Sequence, residues 1–126
     1  MLIGIDVCHS GPNSVVGIAA STNAEMSQYY SEYLVQKKGV EIVSSQLKDA
    51  IKNAIEVFAS KHRQDFPTNF IIYRDGLGDA QRDICLSKEI PQFQQAINEL
   101  YNTAQSPQIT LIVVNKRITQ RFFVKD

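Results

Sequence analysis

The sequence has few cysteines, no excess of either charge and no long apolar run, and each absence excludes a class of protein. Cys8 and Cys85 are the only cysteines among 126 residues. They form neither a CxxC motif nor the framework of a disulfide-rich scaffold, so we expect a reducing compartment, the cytoplasm or the nucleus. Both are interpreted as small, buried side chains.

Long apolar segments are absent as well. The runs of consecutive apolar residues are far shorter than the roughly 20 residues that a membrane-spanning helix needs. The N-terminus lacks a basic segment, and Asp6 interrupts its apolar run after a few residues. No signal peptide is therefore predicted, and no membrane partner is expected.

Net charge is zero, because 13 basic residues balance 13 acidic ones. Nucleic-acid-binding domains are usually basic, so the charge of the whole chain argues mildly against such a partner. The positive charges are nevertheless clustered, at Lys37-Lys38, at Lys61-His62-Arg63, and at Lys116-Arg117 with Arg121. Most clusters of this kind are solvated surfaces or helix C-termini, and His62 is expected to be exposed.

Three strand-like segments come first, and a helical segment follows. The strands are predicted over residues 2–7, Ser14–Ser21 and Tyr29–Gln36. Short polar turns separate them, which is typical of an antiparallel meander. Apolar residues then recur with helical spacing, which predicts an amphipathic helix from about Glu41 to about Lys61.

The second half of the chain alternates strands and helices. Strands are predicted over Phe70–Tyr73 and Ile109–Val114, the latter with a buried character. The helical segment between them begins at about Asp79 and is kinked or restarted at Pro91. The order βββ-α-β-α-β predicts an α/β protein with a mixed five-stranded sheet, within one domain or part of one. This order resembles that of the ribonuclease H-like fold.

Two of the predicted strands each deliver an aspartate to their end. Asp6 lies in the run Ile3–His9, and Asp75 lies in the run Ile71–Gly76. A buried carboxylate is costly without a partner, whereas two carboxylates from separate strands can meet at one sheet edge and hold a divalent cation. The alternative is that each aspartate only caps a turn. Together they favour metal-dependent chemistry on a phosphate ester.

Strings along the whole chain resemble, in the correct order, the PIWI domain of Argonaute proteins, particularly its Piwi branch. They are Gly4-Ile5-Asp6-Val7-Cys8-His9, Ser14-Val15-Val16-Gly17, Ala20-Ser21, Glu41-Ile42-Val43, Ile72-Tyr73-Arg74-Asp75-Gly76, Gln81, Glu89-Ile90-Pro91-Gln92 and Val113-Val114-Asn115-Lys116-Arg117. One string would be a weak signal, but the set is specific. The resemblance implies a ribonuclease H-like fold and a partial PIWI domain over residues 1–126, truncated at its C-terminus.

The resemblance also implies an acidic catalytic site. Asp6 and Asp75 match the two aspartates that hold Mg²⁺ or Mn²⁺ in that family. Glu41 matches the family's mobile glutamate, with Gly39 as a possible hinge, although a glutamate in the first turn of a helix is the alternative. The family's fourth ligand matches no residue of the chain. His9 is interpreted as having a local structural role rather than as a substitute ligand.

Three basic residues after the last predicted strand, Lys116, Arg117 and Arg121, resemble a run that lies near the nucleic-acid channel in the family. Asn115 stands where that run usually begins with Gln. Such cations neutralise phosphates regardless of sequence, and a solvated tail is the alternative. Arg74 could equally pair with an acidic neighbour or with a phosphate.

The resemblance implies a part of an Argonaute or Piwi protein that binds small guide RNA and cleaves complementary target RNA in RNA silencing. The alternative is a module that clamps the guide–target duplex without cutting it; another nuclease or recombinase of the same fold is disfavoured. The remaining domains of the parent protein would complete the channel. Since the fourth ligand is missing, we expect the chain alone to bind Mg²⁺ weakly and not to cleave RNA efficiently.

Overall fold

The structure, a computed structural model, describes residues 1–9, 11–40, 43–102, 104–115 and 122–125. Their strands and α-helices are β1 (Leu2–Cys8), β2 (Ser14–Ser21), β3 (Tyr29–Gln36), α1 (Leu47–Lys61), β4 (Asn69–Asp75), α2 (Arg82–Lys88), α3 (Ile90–Leu100) and β5 (Gln108–Val114). A 3₁₀ turn, Asp79–Gln81, precedes α2. The predicted order of elements is confirmed, and a new helix does begin beside Pro91.

All five strands form one mixed sheet in the order β3-β2-β1-β4-β5. β1 pairs antiparallel with β2, and β2 with β3, as the short turns predict. β4 joins the other side of β1 in parallel, and β5 joins β4 in parallel. Because β1 and β4 run in the same direction, their carboxyl ends meet at the same edge of the sheet.

One face of the sheet carries the core. Strand alternation in β1 turns Ile3, Ile5 and Val7 into this face and turns Asp6 and Cys8 to the other. The helices bury an apolar stripe against the same face, and its buried members include Leu47, Ile51, Ile55, Phe93 and Ile97. Full burial of each such side chain contributes about 1.5–3 kcal/mol. Among the described residues the opposite face of the sheet carries no helix.

The first helix begins later than predicted. α1 starts at Leu47 rather than at about Glu41. Side chains from elsewhere bind the backbone just before it, because the N–H of Val43 donates to the Glu89 carboxylate and the N–H of Ser44 donates to the Gln36 amide oxygen. These bonds replace the helical pattern that sequence periodicity alone indicates.

Several burial predictions are corrected. β5 is not buried, since it lies at the sheet edge and pairs with β4. Cys8 is exposed because it faces away from the core, whereas Cys85 is buried as predicted. His62 is half-buried rather than exposed: its Nε2 lies 2.8 Å from the carbonyl oxygen of Thr22, and its ring stacks on Phe58.

Membrane-spanning helices were also searched for. The longest helix in the described part of the chain, α1, has 15 residues. None of the described helices is both long and apolar enough to cross a bilayer.

Candidate functional site

The structure places the two predicted aspartates side by side. Ile5 of β1 pairs with Arg74 of β4 in parallel register, so the next residue on each strand is Asp6 and Asp75. Neighbours in a parallel register point to the same face of a sheet. Ile5 and Arg74 are buried on the helix side, and both aspartates therefore belong to the opposite face. Asp6 is exposed and Asp75 is half-buried.

The two aspartates line a groove of about 590 Å³ on this open face. Its floor contains the small residues Gly4, Gly17 and Ala19. Asp6 lies opposite Gly17 in the register with β2. A Cβ atom added at either glycine would meet no atom within 4 Å, so the floor is open. The absence of side chains there leaves the carboxylates accessible from above the sheet.

The groove wall adds one aromatic ring beside the acidic pair. Tyr73 pairs with Gly4 and therefore lies two positions before Asp75 on the same face. Val114, the last residue of β5, pairs with Asp75 and also lines the groove. The site thus combines two carboxylates with an apolar wall at the carboxyl edge of the sheet.

The donor set fits a hard divalent cation in part. Mg²⁺ is usually held by one or two carboxylates, with waters and substrate phosphates as the other ligands. Asp6 and Asp75 supply such a pair. Within the described ranges no group of three or more His, Cys, Asp or Glu residues is arranged as a metal site. The described residues therefore place two carboxylates in one open groove.

Glu32 is also among the residues that line the groove, but its carboxylate serves a different contact. The Glu32 Oε2 atom accepts hydrogen bonds from the Tyr30 hydroxyl at 2.8 Å and from the Asn53 amide at 3.3 Å. Asn53 belongs to α1, so this carboxylate lies on the helix side of the sheet. The hydrogen bond to Glu32 and burial both raise the pKa of Tyr30, which keeps its hydroxyl protonated as the donor.

Four of the predicted site residues, Glu41, Lys116, Arg117 and Arg121, lie outside the described residues. The predicted third carboxylate and the predicted phosphate contacts therefore stay predictions. Asn115, directly before the basic run, follows the end of β5. That strand end borders the groove through Val114.

Sequence reasoning missed the importance of Glu89. Its carboxylate forms an ion pair with Arg74, with Nε 3.0 Å from Oε2 and Nη2 3.0 Å from Oε1. The Arg74 side chain is 0% exposed and the Glu89 side chain is 2% exposed. Arg74 therefore pairs with an acidic neighbour, the first of the two partners predicted for it. A signal was present, because Glu89 lies four residues from both Cys85 and Phe93 on a buried helical stripe.

The Cys85 thiol belongs to the same buried cluster. Its Sγ atom donates to Glu89 Oε2 at 3.1 Å. Burial, followed by the hydrogen bond to Glu89, raises the pKa of the thiol to about 12. A thiol held in its protonated form is a donor rather than a nucleophile or a metal ligand. Cys85 therefore has no chemical part in the acidic site.

A separate contact holds the loop between β3 and α1. The buried Ser14 hydroxyl accepts a hydrogen bond from the N–H of Gly39 at 3.0 Å and lies 2.6 Å from His9 Nδ1. This contact agrees with the local structural role predicted for His9. Gly39 has a φ of +80°, in the left-handed region that favours glycine. The backbone just upstream of Glu41 is therefore fixed at Gly39.

We expect Gly39→Ala to lower the free energy of unfolding by about 1 kcal/mol, since a Cβ atom strains the left-handed backbone. Gly17→Ala is the matched control, because its φ lies outside that region and a Cβ atom has open space. Urea unfolding of both variants gives the comparison. Equal stabilities would show that the Gly39 conformation is not required.

Comparison with known proteins shows the family to which the sequence is similar. The model of the Piwi domain family matches residues 1–126. Piwi-like protein 1 of Gallus gallus is 37% identical over 128 residues, which cover 99% of this chain and 14% of that relative. The chain thus spans about one seventh of the length of that relative.

Solved structures share the fold. The C-terminal lobe of a budding yeast Argonaute superposes with a TM-score of 0.83 at 21% identity, covering 94% of this chain and 24% of that one. Kluyveromyces polysporus Argonaute with a guide RNA gives a TM-score of 0.80 at 21% identity, covering 89% of this chain and 14% of that one. The predicted ribonuclease H-like sheet is therefore confirmed as the fold that Argonaute proteins share.

Proposed function

This chain belongs to the Piwi domain family, and from that membership we propose that it forms part of a protein that binds small guide RNA and cleaves complementary RNA. The observation that carries the proposal is the placement of Asp6 beside Asp75 on an open sheet face. An Argonaute of the same fold holds a guide RNA, which supports RNA as the ligand. The cleaved bond would be a phosphodiester of the target strand.

In this proposal the residues of the chain bind a divalent cation and orient the RNA backbone beside it. Asp6 and Asp75 offer carboxylate oxygens to Mg²⁺ or Mn²⁺, and Glu41 is proposed as a third carboxylate. A divalent cation bound there supplies Lewis-acid stabilisation of the charge that develops on a phosphodiester. The glycine-rich floor leaves room for a sugar–phosphate backbone to approach the carboxylates. Sequence selection is left to base pairing with the guide.

The proposed partners are the guide RNA, the target RNA and the remaining domains of the parent protein. Lys116, Arg117 and Arg121 follow the strand end that borders the groove. We propose that they neutralise phosphates without reading sequence. This local positive charge is compatible with a net charge of zero, because the acidic residues of the metal site reduce the total.

The metal site is tested by titrating the chain with Mn²⁺ and measuring free Mn²⁺ by electron paramagnetic resonance. We expect Asp6→Asn and Asp75→Asn each to raise the Kd at least tenfold. Loss of a ligand should cost at least the roughly 10- to 100-fold that loss of a ligand's hydrogen-bond partner costs. The amide keeps the shape of the side chain and removes its charge.

Asp65→Asn is the matched control for the titration. Asp65 is exposed and lies in the segment before β4, which begins at Asn69. It is therefore at the opposite end of that strand from Asp75. Its replacement should leave the Kd unchanged. Identical Mn²⁺ affinities for the unmodified chain, Asp6→Asn and Asp75→Asn would refute the proposed metal site.

A further inference from the structure

The buried Glu89 carboxylate connects three segments that are far apart in the chain. It accepts from Arg74 at the end of β4, from the backbone N–H of Val43 before α1, and from the Cys85 thiol in α2. Its position between α2 and α3 places one charged group at the junction of these segments. A connection of this kind constrains the segments relative to one another.

The contact between Glu89 and Arg74 extends to Asp75, whose side chain is a proposed metal ligand. Arg74 is held by Glu89 through Nε and Nη2. Its remaining nitrogen, Nη1, donates to the main-chain carbonyl oxygen of Asp75. The guanidinium thus fixes the backbone at the last residue of β4. The direction in which the Asp75 side chain leaves the strand depends on that backbone.

The second connection reaches the segment that follows Glu41. The N–H of Val43 donates to Glu89 Oε1 at 2.9 Å in a buried contact. The carbonyl oxygen of Val43 accepts from Gln92 Nε2 at 3.4 Å. Side chains from the α2–α3 junction therefore bind both the N–H and the C=O of Val43. Val43 lies two residues after Glu41 in the sequence.

The ion pair between Arg74 and Glu89 is not explained by its contribution to stability alone. A buried ion pair loses so much hydration that well-packed apolar residues often give equal stability. Stability alone therefore does not require Arg74 and Glu89. What an apolar pair could not do is accept the Val43 N–H and donate to the Asp75 carbonyl group at the same time.

We propose that Glu89 is a positioning residue of the acidic site, which fixes the backbone at Val43 relative to the backbone of Asp75. The inference rests on the proposed function, since it concerns the geometry of the same metal ligands. Glu89 itself binds no metal and contacts no substrate. It acts through Arg74 on one side and through Val43 on the other.

Two uncharged double variants separate positioning from packing. Arg74→Met with Glu89→Leu removes both charges and the acceptor for Val43. Arg74→Met with Glu89→Gln also removes both charges, but keeps a side-chain oxygen for the Val43 N–H. Leu and Gln are similar in size, so the two double variants differ mainly in that acceptor. Urea unfolding verifies that each is folded.

The readouts are hydrogen exchange of the Val43 amide and the Kd for Mn²⁺. In the Leu-containing variant we expect exchange to accelerate about tenfold, because one buried hydrogen bond is lost. The Kd should rise about tenfold, as when the partner of a metal ligand is removed. The Gln-containing variant should lie closer to the unmodified chain in both readouts. Glu99→Gln, at a surface ion pair with Lys52, should change neither.

Unchanged exchange and unchanged Kd in the Leu-containing variant would overturn the proposal, and so would an equal acceleration of Val43 exchange in both double variants. If neither variant folds, the unmodified chain still decides, since a Val43 amide that exchanges as fast as an exposed loop amide contradicts the contact. If Asp6→Asn and Asp75→Asn raise the Kd but the double variants do not, the positioning role of Glu89 is wrong and the metal site stands. If none of these variants changes the Kd, both the metal site and the positioning role are wrong.

Discussion

Replacing Arg74 with alanine is expected to lower the free energy of unfolding by about 3–5 kcal/mol, the usual cost of breaking a buried ion pair by removing one partner. The Glu89 carboxylate is 2% exposed, so removal of the guanidinium leaves a buried charge without its partner. Small domains are stable by only about 5–15 kcal/mol in total. The variant is therefore expected to be close to unfolding, and urea melts at low temperature are the suitable measurement.

Two further variants test whether the loss of stability in Arg74→Ala comes from an unpaired buried charge. Lys52→Ala breaks the ion pair between Lys52 Nζ and Glu99 Oε2, 2.8 Å apart, and we expect a small effect because solvent screens that pair. The double variant Arg74→Met with Glu89→Leu should recover most of the stability, because no charge is left buried. An Arg74→Ala variant as stable as Lys52→Ala would contradict the buried pair.

Local patterns predicted the first three strands closely. The bounds of β2 and β3 agree with the prediction, and β1 ends at Cys8, one residue beyond the predicted end. These strands are joined by short polar turns and pair with their neighbours in sequence, so the information that determines them is local. The order of elements predicted a mixed sheet, whereas the parallel pairing of β1 with β4 comes from the structure.

The errors arose where distant residues decide the local structure. The start of α1 was placed too early because the Val43 N–H donates to Glu89, a side chain 46 residues further along the chain. No pattern within a helical window reveals such a contact. Cys8 was assigned to the interior because a small thiol is often buried, but strand parity places it on the face that carries no described helix.

The candidate site was predictable in part. Two strand-borne aspartates were expected to meet, and the parallel register of β1 and β4 makes Asp6 and Asp75 neighbours. The open groove above Gly4 and Gly17 was not predicted, since it depends on which face the helices cover. Glu89 was quoted only as part of a motif. Its role requires the position of Arg74, which a linear sequence does not show.

Asp75→Asn is expected to reduce cleavage of a guide-matched RNA by about 1,000-fold or more in the full-length protein that contains this chain. The substitution keeps the size of the side chain and removes the negative charge that a divalent cation needs. Loss of several kcal/mol of charge stabilisation at the phosphodiester corresponds to a rate decrease of that order. Circular dichroism should show that the fold is unchanged.

Asp65→Asn is again the matched control, because it makes the same chemical change on an exposed residue at the other end of β4. Its cleavage rate should equal that of the unmodified protein. Absence of cleavage by every variant, the unmodified protein included, would favour the module that binds the guide–target duplex without cutting it. In that case the aspartates would retain only a structural part.

The most direct measurement of the central claim is the rate of Mn²⁺-dependent cleavage of a guide-matched RNA by the full-length protein, compared with the rate of its Asp75→Asn variant. A mismatched RNA of the same length measures cleavage that does not depend on the guide. The account predicts guide-dependent cleavage that Asp75→Asn abolishes and Asp65→Asn preserves. Equal cleavage by the unmodified protein and by Asp75→Asn would contradict it.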